Sequence, residues 1–429
     1  MSASSIWSRL RSRGAKGAFS LVLGTAIGQG ITLAVTPFLS RIYSDEDFGY
    51  LSLVISVVSI AAPAAALRLD SALMLPRVNR DASALFGTGL ISALLVSALS
   101  AFILQILFMS GLLTNMAELP WFSVWVAAIT FLTAAFTLLS QYALRDHRYG
   151  AVARRSIYQS SLAAAAQLGW GIASPSATGL IGGYALGRAA GIAPLAFALR
   201  SQLERFTMAD VRRLLKTYWR FPALFTPSAV LNSAGLVVPV LFVGTWFSVA
   251  DAGQWALADR ILAAPLVLVA TAVGQVVEAH VSEMLREGRG GLARYYLSVS
   301  GVLAAIAAVA VAAVVLLAPP ILPVILGAGW GTAAELMVAM SPIVATRLIV
   351  APMSKVLIVL QRGGWTLGLD ILRVVLVVAV VIAAMVLSID LLTTAWLFSF
   401  ALSVVYIVTW FIGWAATRHD ADRVLEPAD

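Results

Sequence analysis

Twelve apolar runs, each about the length that crosses a bilayer, decide what this chain can fold into. They fall at approximately 17–40, 48–67, 83–110, 120–143, 157–174, 178–199, 222–246, 254–279, 295–318, 332–354, 364–388 and 391–415. Within hydrocarbon a backbone must satisfy its own hydrogen bonds, so runs of this length are helices. The connectors are short and leave no room for an inserted soluble domain. The expectation is an all-α polytopic membrane protein. Only 12% of the residues are charged and 60% are hydrophobic, too little charge to keep 429 residues dispersed in water.

The basic residues fix an orientation. With the N-terminus in the cytoplasm, 24 of the 29 Lys and Arg fall on the inner side, and Arg41 alone lies in an outer connector. That asymmetry is the positive-inside pattern, so the net charge of +8 points to a membrane topology and not to nucleic acid. Both termini are expected in the cytoplasm, in a cell inner (plasma) membrane. Residues 1–16 form a basic tail, and the run after it is too long for a signal-peptide core, so a retained first helix is expected. The expected layout is a six-helix bundle over 17–199, a basic linker over 200–221, a second six-helix bundle over 222–415 and a tail over 416–429. The linker holds Arg200, Arg205, Arg212, Arg213, Lys216 and Arg220, and reads as an amphipathic segment lying on an anionic leaflet.

One motif occurs twice. PFLSRIYSDEDFG starts at Pro37 and PVLFVGTWFSVADAG at Pro239. Both contain Ser-x-x-Asp-x-Gly, as Ser44, Asp47, Gly49 and as Ser248, Asp251, Gly253. The serine suits a helix N-cap and the aspartate suits the positive end of that helix. A proline follows in each half, Pro63 and Pro265, where it can kink the helix. Each half has an even number of spans, so the repeat is parallel and relates two pseudo-symmetric bundles about the membrane normal.

Several chemistries are excluded. Cysteine is absent, which removes disulfides, thiolate metal sites and cysteine nucleophiles. His147, His280 and His419 are scattered and build no metal cluster by local spacing. No phosphate-binding G-x-x-x-x-G-K-[ST] is present, and the outer connectors are short, with Asp45, Glu46, Asp47, Glu118, Asp251 and Asp390 as their acids. No catalytic residue, cofactor or metal is nominated; the chain is expected to be a passage and not an enzyme.

A passage needs polar groups inside the membrane, where each charge costs about 2.5–3.5 kcal/mol. Arg188, Asp259, Arg260, Arg347, Asp370 and Arg373 all fall within spans. Each has a structural alternative. Asp370 and Arg373, three apart, can neutralise each other. Arg188 sits among Gly182, Gly183, Gly187 and Gly191, a small-residue face suited to close packing. Arg347 can snorkel. Asp259 and Arg260 are adjacent and cannot face each other, so one needs a partner elsewhere; Arg260 is the leading cavity candidate. Arginines outnumber carboxylates, and Arg41 adds a further positive charge, which suits an anionic cargo. Tryptophans such as Trp170, Trp255, Trp330 and Trp410 lie near span ends as an interfacial belt.

With these residues in view, the chain resembles the Wzx-type O-antigen and exopolysaccharide flippases of the multidrug/oligosaccharidyl-lipid/polysaccharide (MOP) exporter superfamily. The matching stretches are PFLSRIYSDEDFGYL (37–51), RLDSALMLPR (68–77), YWRFPALFTPSAVLN (218–232) and ADAGQWALADRILAAPLVLVATAVGQV (250–276). The resemblance implies two six-helix bundles around a basic cavity, and a polyprenyl-diphosphate-linked oligosaccharide flipped by alternating access. By position it assigns Arg41, Arg260 and Arg373 to the diphosphate. Arg188 and Arg347, read from their place within spans, are further candidate substrate contacts, and Asp70, Asp259 and Asp370 are candidates for ion coupling or charge pairing. Leu69 and Asp70 depart from a Tyr-Glu-like pair that is usual in the second stretch. Expected partners are the lipid-linked oligosaccharide, membrane lipids, and polysaccharide polymerase and chain-length proteins, with the protein itself a monomer. The alternative reading is a multidrug-type small-molecule exporter.

Overall fold

The computed structural model describes residues 13–423 apart from 112–115, 117, 147, 201, 288–289 and 361–363. Most of the basic tail expected over 1–16, the end of the C-terminal tail, His147, Arg289 and Arg362 therefore lie outside the described residues. Every described element is helical, and the chain divides into two compact units, Met1–Gly253 and Gln254–Asp429. The packing division thus falls at Gly253, whereas the sequence places its bundle boundary at the 200–221 linker.

The first unit contains α1 (Arg13–Ile42), α2 (Asp45–Ala65), the short α3 (Leu69–Ala72), α4 (Asn79–Met109), α5 (Phe122–Arg145), α6 (Tyr149–Ala173), α7 (Ala177–Leu199), α8 (Met208–Thr217) and α9 (Thr226–Phe242). Its core gathers Leu69, Leu85, Leu138, Tyr142, Leu195 and Leu214. Single π-helical turns at Phe221–Phe225 and Val243–Phe247 flank α9. α10 (Val249–Arg286) begins in this unit and continues in the second. There it is followed by α11 (Leu292–Leu326), α12 (Gly331–Ala339), α13 (Ser341–Met353), α14 (Lys355–Val359), α15 (Gly364–Leu387) and α16 (Leu391–Arg423). Trp255 and Trp330 are only 6% and 3% exposed, so these two pack inside and do not join an interfacial belt.

Ten described helices are long and apolar enough to cross a membrane, or eleven if one bent pair counts as a span. The sequence reading gave twelve, and both differences have local causes. The run at 332–354 bends by 52° where α12 meets α13, immediately before Pro342. A proline lacks the amide proton and disfavours helical backbone in the residue before it. The run read as 157–174 is the longer helix α6, which includes Arg154, Arg155, Gln159 and Gln167 and is too polar to pass on apolarity.

The linker is organised as expected for an amphipathic segment. Thr207 and Asp210 form a reciprocal capping box at the start of α8. Leu214 is buried in the first core, while Arg212, Arg213 and Lys216 stay exposed. Two ion pairs clasp α8 to the first turn of α4, Arg80 to Asp210 at 2.7 Å and Arg213 to Asp81 at 2.5 Å. Hydrogen bonds from Thr207, and then the Arg80 guanidinium, hold the Asp210 carboxyl down to about 2. A carboxyl depressed on folding stabilises the docked helix above its ordinary titration range, near pH 4, and that contribution is lost as pH falls towards 2. Asp210→Asn should therefore speed tryptic cleavage at the linker arginines severalfold at pH 7.5, with the rest of the chain unchanged. Cleavage at the parental rate would show that the clasp does not hold α8.

The repeated motif performs the same local task twice. Ser44 accepts a hydrogen bond from the Asp47 amide at 3.1 Å, and Asp47 accepts one from the Ser44 amide at 3.1 Å. Ser248 accepts from the Asp251 amide at 3.0 Å and its hydroxyl donates to the Asp251 carboxylate at 2.6 Å. The glycines then bring the two helix starts into backbone contact. A Cβ on Gly49 would lie 1.9 Å from the Val249 carbonyl oxygen, and one on Gly253 would lie 1.9 Å from that of Asp45. Ser52 Oγ, which also donates to the Gly49 carbonyl, stands 3.4 Å from the Ala252 carbonyl oxygen.

Candidate functional site

The α6–α7 hairpin is built by small residues. Built Cβ atoms on Gly179, Gly183, Gly187 and Gly191 would strike Trp170, Gln167, Ala163 and Phe136 respectively, at 2.5–2.8 Å. Glycines four apart place one face of α7 directly on its neighbours, the arrangement that van der Waals packing in lipid favours. Within this close-packed region sits Arg188, half-buried. It donates to the Tyr184 hydroxyl at 2.6 Å and lies 5.1 Å from that ring centroid. Its guanidinium carbon is also 5.3 Å from the centroid of Phe136. Arg155 of α6 lies against the same ring at 3.4 Å and donates to Ser140 Oγ on α5. The two guanidinium groups are within electrostatic reach of each other. Among the described residues neither makes an ion pair, and both Nε atoms are buried without a hydrogen-bond partner.

Asp70 occupies a second polar site in this unit. α2 ends at Ala65, and Leu67 and Arg68 then take left-handed backbone conformations with φ of 49° and 54°. Such conformations cost about 1–3 kcal/mol each and persist where the surroundings hold them. The turn feeds Asp70 into the core, 5% exposed. Its Oδ1 is buried without a hydrogen-bond partner, as is Arg68 Nε.

In the second unit the structure supplies partners for the adjacent pair on α10. Arg347 of α13 lies within electrostatic reach of Asp259. Arg260 and Arg347 are half-buried. Asp370 and Arg373 of α15 pair at 2.9 Å, with side chains 17% and 12% exposed. Arg41 is exposed in the last turn of α1, in the first unit.

Of the residues nominated from sequence, the structure pairs Asp370 with Arg373 and puts Arg347 within electrostatic reach of Asp259. Arg188 packs on aromatic rings and a tyrosine hydroxyl. Arg155 was missed, because the helix start was placed at 157 and this arginine was counted with the inner connector. The available signal was spacing. Gly179, Gly183, Gly187 and Gly191 recur every fourth residue, and Gln167, Ala163, Gln159 and Arg155 recur every fourth residue in the antiparallel sense.

A chain whose described elements are all helical, ten or eleven of them long and apolar enough to cross a membrane, with half-buried arginines among them, has the architecture of a multi-pass membrane protein. Solved structures of that architecture share its fold. An outward-facing multidrug resistance MATE family transporter of the MOP superfamily matches with a TM-score of 0.61 at 15% identity, covering 98% of each chain. A MOP superfamily transporter from Pyrococcus furiosus, described by the reverse polarity of its binding pocket, matches with a TM-score of 0.60 at 14% identity over 97% of this chain and 98% of that one. The lipid II flippase MurJ in an inward closed conformation matches with a TM-score of 0.68 at 12% identity over 95% and 90%. No curated protein matches the chain in sequence. Residues 38–335 match the polysaccharide biosynthesis protein family, and the chain belongs to that family.

Proposed function

We propose that this protein is a flippase for a polyprenyl-diphosphate-linked oligosaccharide, an O-antigen or exopolysaccharide repeat unit, which it moves from the inner to the outer leaflet of a cell inner membrane by alternating access. The observation that carries this reading is the excess of arginine over carboxylate inside the helical spans of a polysaccharide biosynthesis family member. A diphosphate presents several oxygens to planar, always-charged forks, so buried guanidinium groups suit it better than they suit a cationic drug. Both termini lie in the cytoplasm on the positive-inside reading, where the substrate is loaded. Arg188 and Arg260 are the leading substrate contacts, with Arg41 at the outer end of α1. Asp259 and Asp370 act as charge partners of Arg347 and Arg373, and Asp70 is the candidate for ion coupling. Polymerase and chain-length proteins would receive the flipped unit. No step requires the chain to break or form a covalent bond.

The test is genetic and chemical. Cells lacking the protein should accumulate lipid-linked repeat units on the cytoplasmic leaflet, and Arg260→Ala should reproduce that accumulation, with transport reduced at least tenfold, while inserting normally. Loss of one such contact removes charge-assisted hydrogen bonds, which are about twice as strong as neutral ones. Normal delivery to the outer leaflet in the deletion strain, with no second transporter present, would refute the reading. Altered drug sensitivity with intact glycan would establish the multidrug-type exporter instead.

A further inference from the structure

The geometry points to a binding site for the headgroup of an anionic phospholipid at the inner ends of the first unit's helices, with Arg148 as its charge. A cavity of about 560 Å³ opens there, within the usual range of small-molecule sites, about 300–1,000 Å³. Three connecting stretches meet around it. Met74 comes from the α3–α4 connector and Asn79 from the first position of α4. Asp146 and Arg148 join α5 to α6, beside Arg145, and Gln202 belongs to the linker.

The charges on this wall do not cancel. Arg145 is used internally, donating to Asn79 Oδ1 at 2.9 Å, to the Pro76 carbonyl at 3.3 Å and to Asp146 Oδ1 at 3.3 Å. The last contact also neutralises Asp146. Arg148 donates one terminal nitrogen to the Ala198 carbonyl at 2.9 Å, and among the described residues it makes no ion pair. A carbonyl orients a guanidinium and leaves its charge in place. α6 starts at the same wall with no acidic residue in its first turn, so the positive end of the helix adds to that charge. One uncompensated positive charge matches a phosphodiester monoanion and not a diphosphate. The side-chain amides of Asn79 and Gln202 supply neutral donors for the remaining phosphate oxygens.

The rim identifies the source of the phosphate. Met74, Leu75 and Val78 are 45%, 54% and 57% exposed, in a connector that also carries the exposed Arg77. Three apolar side chains gain nothing from water. At the end of a span they enter the acyl region while the arginines stay at headgroup level. On the positive-inside reading this is the inner leaflet, whose anionic lipids attract basic segments. A soluble phosphate would use the cavity and ignore the rim. The site therefore rests on neither the cargo nor the route through the spans.

The experiment is a native mass-spectrometry titration of the detergent-purified full chain with phosphatidylglycerol and, separately, with phosphatidylcholine, followed by competition with glycerol 3-phosphate. The expected result is one phosphatidylglycerol held at least fivefold more tightly than phosphatidylcholine, about the effect of one basic residue on an anionic lipid. Arg148→Gln should weaken that lipid about tenfold, the loss of a charge-assisted contact. Arg212→Gln, which removes an exposed charge from α8, should leave it within about twofold. If Arg148→Gln does not fold, Gln202→Leu serves in its place; it alters no charge and should weaken the lipid about threefold, the loss of one neutral hydrogen bond. Met74→Ser should lower affinity for the lipid severalfold and leave that for glycerol 3-phosphate unchanged. Parental affinity in the Arg148, Gln202 or Met74 variant, an equal loss in Arg212→Gln, or equal binding of the two lipids would overturn the inference. Full displacement by equimolar glycerol 3-phosphate would overturn it too, and would give the cavity to a soluble phosphate. Those outcomes leave the deletion-strain experiment unaffected, so the two readings fail separately.

Discussion

Gly253→Val is expected to separate the starts of α2 and α10 and to stop transport. The reason is distance. A Cβ on Gly253 would stand 1.9 Å from the Asp45 carbonyl oxygen and 2.8 Å from the Gly49 amide nitrogen. Both are backbone atoms that no rotamer change can move. Gly49→Val meets the reciprocal obstacle at Val249. Overpacking in a well-packed interior costs about 1–3 kcal/mol and more when backbone must shift, so Gly253→Ala should already lower thermal stability. Because the chain contains no cysteine, the contact can be read without background by a Ser52→Cys, Ala252→Cys pair at the observed crossing. The pair should cross-link in the parent chain and lose most of its cross-linking when Gly253→Val or Gly49→Val is added. On the alternating-access proposal these helix starts must part during each cycle. The oxidised pair should then block translocation and reduction should restore it. Undiminished cross-linking in the valine variants would refute the close-packing account, and full transport by the oxidised pair would refute the need for parting.

The same two motif copies mark what was legible in the sequence. Ser44 with Asp47, and Ser248 with Asp251, were readable because capping is chemistry among residues three apart. The all-helical class was readable because the bilayer imposes both the length and the hydrogen bonding of each run. The purpose of Gly49 and Gly253 was not readable, since each is required by a carbonyl some 200 positions away. The adjacent Asp259 and Arg260 showed only that one of them needed a partner; that Arg347 comes within electrostatic reach of Asp259 depends on where α13 packs, which no local spacing records. Arg155 was hidden for a different reason. Arg154 and Arg155 together look like an inner-face flank, and only one of them is: Arg154 is exposed, while Arg155 turns inward to Phe136. Successive residues on a helix differ in direction by 100°, so a charge pair at a span edge splits between surface and interior. The bend before Pro342 was visible as a proline, yet Pro63, Pro265 and Pro352 lie within continuous helices. The proline alone did not say which span would break.

Asp370→Leu alone should be far more damaging than Asp370→Leu combined with Arg373→Met. The two side chains pair at 2.9 Å and are 17% and 12% exposed, one helical turn apart on α15. Removing one member of a largely buried ion pair costs about 3–5 kcal/mol, whereas replacing both with apolar residues of similar volume is often neutral or stabilising. The bilayer sharpens the contrast, because a charge near the centre of a span costs about 2.5–3.5 kcal/mol on insertion and an apolar pair costs nothing. Detergent-extracted Asp370→Leu should therefore show a large loss of folded, monodisperse protein, and the double variant should recover to the parental level. Translocation then assigns the role of Arg373. If the pair serves packing alone, the double variant flips substrate within about twofold of the parent, the range of a surface-level perturbation. That is the outcome expected, because Asp370 already occupies part of the guanidinium that a diphosphate would need. A double variant that folds fully and yet transports nothing would instead put Arg373 in the substrate's path, with Asp370 as the carboxylate it leaves when the anion arrives.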